Sequence, residues 1–408
     1  MRRRDFLKGT AVATAALVTP RWLAAQTGAD STGAAADSAR AGFGMGGAPR
    51  DSAAADSAAP LAGPTLTIAA GGDTTLGSNL EAHFDQQLAA GMTRGQLWPL
   101  YFAGVKPLLE AADIAIANLE CPFTERGVKL KKNFNFRARR ELVKILEEGG
   151  VDVVSLANNH TNDWGEDGVK DTLRTLDHAR IAHFGAGMNL DRARRPAILQ
   201  RRGIKVGFLG YYFQADPDML EPEEVYAAVD RAGVAGCYKD RACMRDQIGE
   251  DVERLLPRVD AVIPFFHWGR EGSYEVRDYQ IELAHLCVDL GCKAVLGAHP
   301  HRLQGVEVYR SAPICYSLGN FVYGGIKEPT DTLTMVARLR VGAAGATAAV
   351  TPVQFTRWPE KPFQPFALEG EAREEAMRRI AAYSQGFEKT LPQIEPYRLA
   401  PVAVPTEP

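Results

Sequence analysis

A short apolar run that ends abruptly in polar residues stands at residues 151–160, VDVVSLANNH. Val151, Val153 and Val154 are β-branched residues that favour a strand, whereas asparagine and aspartate are poor strand formers that favour turns. A turn explains the two asparagines, but it does not require His160. The stretch therefore predicts a buried strand whose carboxyl end is followed either by a plain polar turn or by a functional site.

Five further stretches repeat this arrangement along the chain. They are TLTIAAGGD (65–73), DIAIANLE (113–120), VDAVIPFFHWG (259–269), CKAVLGAHPH (292–301) and APICYSLGN (312–320). Continuous apolar runs suit strands that are buried on both faces. Helical patterns fall between them, at about 138–148, 165–178, 246–256 and 278–290. This alternation predicts an α/β fold with a largely parallel sheet, and ligands bind such folds just beyond the carboxyl ends of the strands.

The last part of the chain has a different pattern. Two strand-like runs, DTLTMVARLRV (331–341) and ATAAVTPVQFTRW (346–358), surround a glycine-rich turn. They predict an antiparallel hairpin at the edge of the sheet. A helical pattern at about 371–387 and a proline-rich tail follow.

The N-terminus has the composition of an export signal. Residues 2–8 read RRRDFLK, a short apolar stretch covers about 9–18, and small residues follow. The two arginines followed by Phe6-Leu7-Lys8 resemble a twin-arginine signal, and the apolar stretch is too short to span a membrane. We therefore expect a signal peptide at 1–26, a periplasmic or extracellular protein, and no transmembrane span in the mature chain. Residues 27–63, rich in Ala, Gly, Ser, Asp and Pro, predict a disordered linker.

Overall composition is that of an ordinary globular protein. Hydrophobic residues make up 46% and charged residues 24% of the chain, and the net charge is -3. This balance argues against nucleic acid as a partner. Cys237 and Cys243 lie in a polar stretch and could form a disulfide in an oxidising compartment, whereas Cys287, Cys292 and Cys315 fit buried positions.

The polar residues at the strand ends are of the types that bind divalent metal ions. Carboxylate, amide and imidazole groups suit Mn, Fe or Zn. The candidates are Asp73, Glu120, Asn159, His160, His267, His299 and His301. Pro300 is expected to bend the chain so that the two flanking imidazoles reach different ions. Asp163 and Trp164 instead predict the cap and the apolar staple of the helix that starts near Gly165.

The order of these motifs resembles a known family. The motifs are Gly72-Asp73, Asn118-Leu119-Glu120, Asn158-Asn159-His160, His267-Trp268-Gly269, Gly297-Ala298-His299-Pro300-His301 and Ser317-Leu318-Gly319-Asn320-Phe321. Together they look like the bacterial capsule-synthesis CapA family, which is associated with poly-γ-glutamate production and is a branch of the calcineurin-like metallophosphoesterases. The resemblance implies a layered α/β/β/α sandwich with mixed sheets, placed here at 64–360. Residues 361–408 would form a C-terminal helix and tail packed on that domain or trailing it.

The resemblance also implies roles for individual residues in a site with two divalent metal ions. Asp73 and His301 would bind the first ion, and Glu120 would bridge both. The second ion would be held by Asn159, His267 and His299. His160 would contact the phosphoryl oxygen of the substrate or protonate the leaving group. Contact with substrate or support of the ligands would fall to Asn158, Glu271 and Asn320, although Glu271 could equally form a surface ion pair with Arg270.

Two positions depart from the pattern of the wider superfamily. That superfamily opens with Asp-x-His, but Thr75 stands here where the histidine is expected. Its second motif usually bridges through aspartate, and this chain offers the longer Glu120. His83 is one candidate for the missing imidazole, but its helical pattern favours a position on a helix surface.

Three functions remain open from the sequence. The first is an exported metal-dependent hydrolase of a phosphoester, linked to an envelope polymer such as poly-γ-glutamate and to the machinery that synthesises it. The second is a non-hydrolytic factor that binds the acidic polymer and assists its assembly or export. The third is a peptide-modifying enzyme that uses the same metals and His160 to remove a proton beside an amide carbonyl.

Overall fold

The computed structural model of the protein describes residues 61–215 and 221–398. The expected signal peptide at 1–26 and nearly all of the expected linker at 27–63 lie outside the described residues. All strands and helices named below belong to one compact unit. Within the described ranges, no helix is long and apolar enough to cross a membrane.

Sixteen strands occur in the described part of the chain. Their bounds are β1 Leu66–Thr75, β2 Ile114–Leu119, β3 Val153–Ser155, β4 Ala182–Phe184, β5 Ala186–Gly187, β6 Ala197–Arg201, β7 Ile204–Phe213, β8 Gly233–Val234, β9 Ala261–Trp268, β10 Val295–Ala298, β11 Val306–Tyr309, β12 Ala312–Cys315, β13 Asn320–Tyr323, β14 Leu333–Gly342, β15 Gly345–Gln354 and β16 Phe366–Ala367. The polar clusters named above follow or end β1, β2, β3, β9, β10 and β12.

Nine α-helices connect and flank these strands within the same residues. They are α1 Asn79–Ala89, α2 Arg94–Leu97, α3 Lys106–Glu110, α4 Val143–Gly149, α5 Gly165–Ala179, α6 Leu190–Ala193, α7 Arg241–Leu255, α8 Asp278–Asp289 and α9 Gly370–Tyr383. The helical patterns at 165–178 and 278–290 match α5 and α8 closely. The pattern at 246–256 begins too late, because Asp240 caps α7 by accepting a hydrogen bond from the Cys243 amide at 3.0 Å.

The first sheet has eight strands. Seven run in the order β16-β15-β14-β1-β2-β3-β4, and β13 pairs with the end of β1. Strands β1 to β4 and β13 are parallel, whereas β14, β15 and β16 are antiparallel. The predicted hairpin is formed by β14 and β15, but its position at the edge was wrong for β14. That strand lies inside the sheet because it pairs with β1.

The second sheet has six strands in the order β11-β12-β10-β9-β7-β6. Its four central strands are parallel, and β6 and β11 are antiparallel edge strands. Strands β5 and β8 form a separate small pair. Both large sheets are therefore mixed, with a parallel centre in each.

Three hydrophobic clusters arrange the sheets and helices in layers. The central cluster contains residues of both sheets, for example Ile68 and Ile116 from the first and Ile263 and Phe265 from the second. A second cluster covers the outer face of the first sheet with residues of α1, α4 and α5, and a third covers the outer face of the second sheet with α7 and α8. The predicted α/β/β/α sandwich is confirmed. Helix α9 adds Met377 and Ile380 to the central cluster.

The register of the strands brings the polar ends of both sheets together. Asp73 on β1 lies beside Asn118 on β2 and beside Asn320 on β13. In the second sheet, His267 on β9 is the neighbour of Ala298, the last residue of β10. Gly72 permits the close approach of β1 to the residue before β13, since a Cβ at that position would lie only 1.8 Å from the carbonyl oxygen of Gly319.

The cysteines divide into a bridged pair and buried thiols. Cys237 and Cys243 form a disulfide across the start of α7. Cys121, Cys287, Cys292 and Cys315 are free and buried. The disulfide is consistent with the oxidising compartment expected from the sequence.

Candidate metal centre

Six predicted ligands converge where the carboxyl ends of the two sheets meet. The first sheet supplies Asp73, Glu120 and Asn159, and the second supplies His267, His299 and His301. The side chains of the first five are almost completely buried, and that of His301 is 9% exposed. The first sheet thus contributes oxygen ligands and the second contributes imidazoles.

The carboxylate and imidazole groups form two clusters that share one residue. Glu120, His267 and His299 place one ligand atom each within 4.8 Å of one another, and so do Asp73, Glu120 and His301. The Oδ1 atom of Asn159 lies 2.8 Å from His267 Nε2, which places this amide beside the first cluster. Glu120 therefore stands in the position of a shared ligand.

The atoms of these clusters approach one another as they would around a cation. His299 Nδ1 lies 2.9 Å from His267 Nε2, and His301 Nδ1 lies 3.2 Å from Asp73 Oδ2. Glu120 Oε1 is 3.4 Å from His267 Nε2 and 3.8 Å from His301 Nε2. Neither carboxylate oxygen of Glu120 has a hydrogen-bond partner within the described ranges, although both are buried. Buried carboxylates are normally paired or bound to a metal, so this donor set fits a divalent ion.

The pKa shifts of the buried groups indicate that a cation would stabilise the site. Burial, together with the charge of Asp73, raises the pKa of Glu120 well above its usual value. Burial also lowers the pKa of His267 and His299 well below the usual value, and the neighbouring imidazoles lower it further. These two side chains are thus neutral imidazoles, the form that binds metals. Burial acts in the same direction on His301, but Glu120 and Asp73 outweigh it and raise its pKa to about 10.

The backbone around Pro300 directs the last two imidazoles to different clusters. His299 has a φ angle of 100° and His301 one of 53°, a region that non-glycine residues rarely adopt. Such strain persists where the surrounding structure enforces it, commonly at functional sites. The bend expected at Pro300 is present, and His299 and His301 belong to separate clusters.

His160 lies beside the metal clusters without joining them. Its Nδ1 atom is 2.8 Å from Asp163 Oδ2, and its ring centroid is 4.2 Å from that of Phe136. The carboxylate can only accept, so Nδ1 carries the proton and Nε2 is the free nitrogen. Burial and the charge of Lys132 lower the pKa of His160, and Asp163 opposes them.

The predicted role of Asp163 as a helix cap was wrong. Helix α5 has no side-chain cap, because Asp163 is already engaged on the other side. Besides His160, it accepts a hydrogen bond from the Phe136 amide at 2.5 Å and pairs with Lys132 Nζ at 2.8 Å. Trp164 itself occupies the cap position of α5, and it donates its indole N–H to the Phe136 carbonyl at 3.0 Å.

Comparison with known proteins gives the context of this site. Residues 67–324 match the family described as bacterial capsule synthesis protein PGA_cap. The chain belongs to this family. The resemblance to CapA proteins inferred from the motifs is thereby confirmed. Residues 1–20 match the signal sequence of the twin-arginine translocation pathway, so this PGA_cap chain is exported across the membrane.

Several curated proteins are similar to this PGA_cap chain. Capsule biosynthesis protein CapA of Bacillus anthracis is 30% identical over 266 residues, which are 64% of this chain and 62% of the relative. PGA biosynthesis protein CapA of Bacillus subtilis (strain 168) is 29% identical over 263 residues, 62% of this chain and 64% of the relative. A probable polyglutamine synthesis accessory protein of Mycobacterium tuberculosis is 32% identical over 225 residues, 53% of this chain and 57% of the relative. The chain thus spans less than two thirds of each relative.

Two solved structures are similar to this chain at low TM-scores. A hypothetical protein from Thermus thermophilus has a TM-score of 0.42 and 18% identity, and the alignment covers 70% of this chain and 98% of that one. A putative 5'-nucleotidase from Staphylococcus aureus, solved with alpha-ketoglutarate, has a TM-score of 0.43 and 14% identity, with 77% and 57% covered.

The remaining predicted residues of this PGA_cap chain surround the clusters in different ways. Asn158 donates to the Leu119 carbonyl at 2.8 Å and accepts from the amides of His160 and Thr161, so its side chain holds the loop in place. Asn320 Oδ1 lies 2.9 Å from His301 Nδ1. Glu271 is exposed and forms no ion pair with Arg270 within the described residues, yet its charge raises the pKa of His160 and His301.

His83 is not brought to the site. Its Nδ1 atom lies 2.9 Å from the Tyr101 hydroxyl, and it belongs to neither cluster. The side chain of Thr75 donates to the Glu120 carbonyl at 3.2 Å instead of facing a metal. The cluster formed by Asp73, Glu120 and His301 therefore contains a single imidazole among the described residues.

Several residues that support the site were not predicted from the sequence. Asn118 donates to Asp73 Oδ1 at 2.8 Å and lies 3.2 Å from His267 Nδ1. Tyr323 places its hydroxyl 3.3 Å from His301 Nε2. Lys132, with a side chain only 3% exposed, donates to the Asn159 carbonyl at 2.6 Å. Asn118 could have been found from its place at a strand end, but nothing distinguishes Lys132 from the lysines beside it.

Proposed function

We propose that this protein is an exported, metal-dependent hydrolase of phosphoesters that acts in the synthesis of capsule, poly-γ-glutamate or another envelope polymer. The observation that carries the proposal is the pair of clusters that share Glu120, whose two buried oxygens have no hydrogen-bond partner in the described residues. The link to an envelope polymer rests on membership of the PGA_cap family and on the export signal.

Two ions of Mn, Fe or Zn would fit the donor set. Asp73 and His301 would hold one, Asn159, His267 and His299 the other, and Glu120 would contact both. When bound, the ions would supply Lewis acidity toward a phosphoryl oxygen and would acidify a water molecule. Asn118 keeps the Asp73 carboxylate in place through its 2.8 Å hydrogen bond.

His160 is the candidate for proton transfer to the leaving group, a role that requires a second ring proton on Nε2 because Nδ1–H is held by Asp163. Its Nε2 atom makes no hydrogen bond within the described residues, while Nδ1 is held by Asp163. Lys132 and Phe136 restrict the ring from two sides, because Lys132 fixes Asp163 and Phe136 packs on the imidazole. The ring is therefore presented in one orientation, as general acid catalysis requires.

The first test is metal-dependent turnover. Protein freed of metal with a chelator should not hydrolyse an aryl phosphodiester, and Mn should restore the reaction. A His178→Ala variant is the matched control, because that histidine is exposed on α5 and should leave turnover unchanged. Absence of turnover with Mn, Fe and Zn, in protein shown to bind each metal, would contradict the hydrolase.

A second candidate is a non-hydrolytic accessory factor that binds an acidic polymer. It is favoured by one observation, namely that a relative from Mycobacterium tuberculosis carries the words accessory protein in its name. Under this alternative, binding of poly-γ-glutamate would persist in the chelated protein. The same chelated sample therefore separates the two functions.

A further inference from the structure

A loop beside His160 presents a surface that the proposed chemistry does not use. We call residues 127–137, GVKLKKNFNFR, the strap. Three hydrogen bonds attach the strap to residues 159–163. The Leu130 amide donates to the Asp163 carbonyl at 2.9 Å, and the Phe136 amide donates to the Asp163 carboxylate. The Lys132 side chain donates to the Asn159 carbonyl at 2.6 Å. The strap is therefore held against the site, and its remaining side chains point elsewhere.

The strap exposes two large apolar side chains. Val128 is 82% exposed and Phe134 is 67% exposed. Within the described ranges only two other large hydrophobic residues are exposed, Ile198 at 37% and Val229 at 84%. Two of the four large exposed hydrophobic residues in the described ranges thus lie on this one short loop, and such a concentration is typical of a contact surface.

The strap also carries positive charge without compensation. Lys129, Lys131 and Arg137 are exposed, and none forms an ion pair with a carboxylate in the described part of the chain. Arg137 instead stacks over Trp164 at 3.9 Å. By contrast, the flanking Arg126 and Arg139 are paired with acidic residues. The strap contains no aspartate or glutamate, although the chain as a whole has a net charge of -3.

We propose that the strap docks the exported protein onto an anionic phospholipid surface. Phe134 and Val128 would enter the interface between headgroups and acyl chains, and the three cations would lie among the lipid phosphates. A soluble polyanion would satisfy the cations alone and leave both apolar side chains in water. A bilayer accommodates both kinds of side chain, so it fits the strap better. Docking in this way would bring the loop that carries His160, which the strap contacts at Asn159 and Asp163, close to the membrane.

Sedimentation with vesicles tests the proposal without reference to hydrolysis. The exported protein, recovered after removal of its signal, is mixed with vesicles of phosphatidylcholine alone or with added phosphatidylglycerol. Binding is expected only to the vesicles with phosphatidylglycerol and should weaken as salt rises. Each cation near an anionic surface strengthens binding roughly fivefold, so replacing Lys129 and Lys131 with serine should weaken it roughly 25-fold.

Apolar variants separate docking from simple charge attraction. Phe134→Ser and Val128→Ser should each weaken binding while keeping all the cations. Val229→Ser is the matched control, because Val229 is as exposed as Val128 but lies outside the strap. Equal binding by the Phe134, Val128 and Val229 variants would overturn the proposal. Binding of soluble polyglutamate through the two lysines, with no binding to either vesicle, would also overturn it. Since no step measures turnover, a failure here is distinct from a failure of the proposed hydrolase.

Discussion

Glu120 is a buried carboxyl group whose charge the described residues of the site compensate only in part. Its carboxylate is completely buried, faces Asp73, and has no hydrogen-bond donor for either oxygen. Burying such a group is costly unless a cation lies beside it. His267 and His299 offer neutral nitrogens, and the charge of His301 offsets that of Glu120 only in part, since the pKa of Glu120 stays raised. The stability of the protein should therefore depend on metal in part through Glu120.

Relative to the wild type, the Glu120→Gln variant should be more stable in the metal-free form and less stable in the metal-bound form. In the metal-free protein it removes a buried carboxylate, so we expect the free energy of unfolding to rise by about 1–3 kcal/mol. With Mn at about 100 times its Kd, the wild type should gain about 2.7 kcal/mol, and the variant should gain less. Urea denaturation with and without chelator measures both values. Equal gains in the two proteins would remove Glu120 from the metal site.

Histidine variants should separate metal binding from proton transfer. His160→Ala is expected to keep most of the metal but to lose about 10²–10⁴-fold in turnover, because His160 lies outside both clusters. His299→Ala is expected to lose metal and turnover together. Elemental analysis and phosphodiesterase kinetics on both proteins give the comparison. Full metal content in His299→Ala would rule out its role as a ligand.

Individual residues of the site were predictable where a strand end revealed them. The polar residues after β1, β2, β3, β9 and β10 are brought together as the α/β pattern indicated, although their roles as ligands remain predictions. Asp163 was wrongly predicted to cap a helix because aspartate is used both for helix caps and for buried carboxylates that pair with histidine and lysine. Lys132 was missed because the burial of a lysine depends on distant partners, here Asp163 and Glu221.

At the scale of elements, α9 is joined to the start of β14 by a partly buried ion pair. Arg379 Nη2 donates to Asp331 Oδ2 at 2.6 Å, and the Tyr274 hydroxyl donates to the same oxygen at 2.8 Å. Burial by itself raises the pKa of Asp331, but the Arg379 charge and the hydrogen bonds outweigh it, and the pKa is lowered below 3.8. The carboxylate therefore stabilises the folded state at neutral pH.

Asp331→Asn should expose this contribution in the pH dependence of stability. Because the folded-state pKa is lowered, the stabilisation is complete above the unfolded value and is lost as the pH falls through the folded value. We expect the variant to lose about 1–3 kcal/mol at neutral pH and the difference to shrink as the pH falls below 3.8. Urea denaturation from neutral to acidic pH measures it. Asp289→Asn, in an exposed pair with Arg310, is the control and should change stability by less than about 1 kcal/mol.

The elements themselves were largely predictable because buried parallel strands have a continuous apolar signature. The position of β14 was not, since pairing with β1 joins residues far apart in sequence. Two-residue strands such as β5, β8 and β16 have no periodicity to detect. Local patterns thus predicted which segments form strands, and the order of strands required information that the local sequence lacks.

For the whole molecule, the first sixty residues should be dispensable for folding. Their Ala, Gly, Ser, Asp and Pro content offers little apolar surface, and the described core begins with β1. A chain that starts at Leu61 should unfold at the same urea concentration as the mature protein. A chain that starts at Gly72 is the control and should not fold, because it lacks most of β1. Aggregation of the Leu61 chain would show that the boundary is wrong.

The central place of β1 sets a delay between synthesis and export. This strand leaves the ribosome early, yet its neighbour β14 is made roughly 250 residues later, which takes about 10–50 s at 5–20 residues per second. Until then one edge of β1 lacks its partner strand β14, while the signal at residues 1–20 has already left the ribosome. Because the twin-arginine route carries folded proteins, we expect chains that stop before Leu333 to remain in the cytoplasm. The last fifth of the chain, from Leu333 onward, would thus decide when the signal in the first twenty residues can be used.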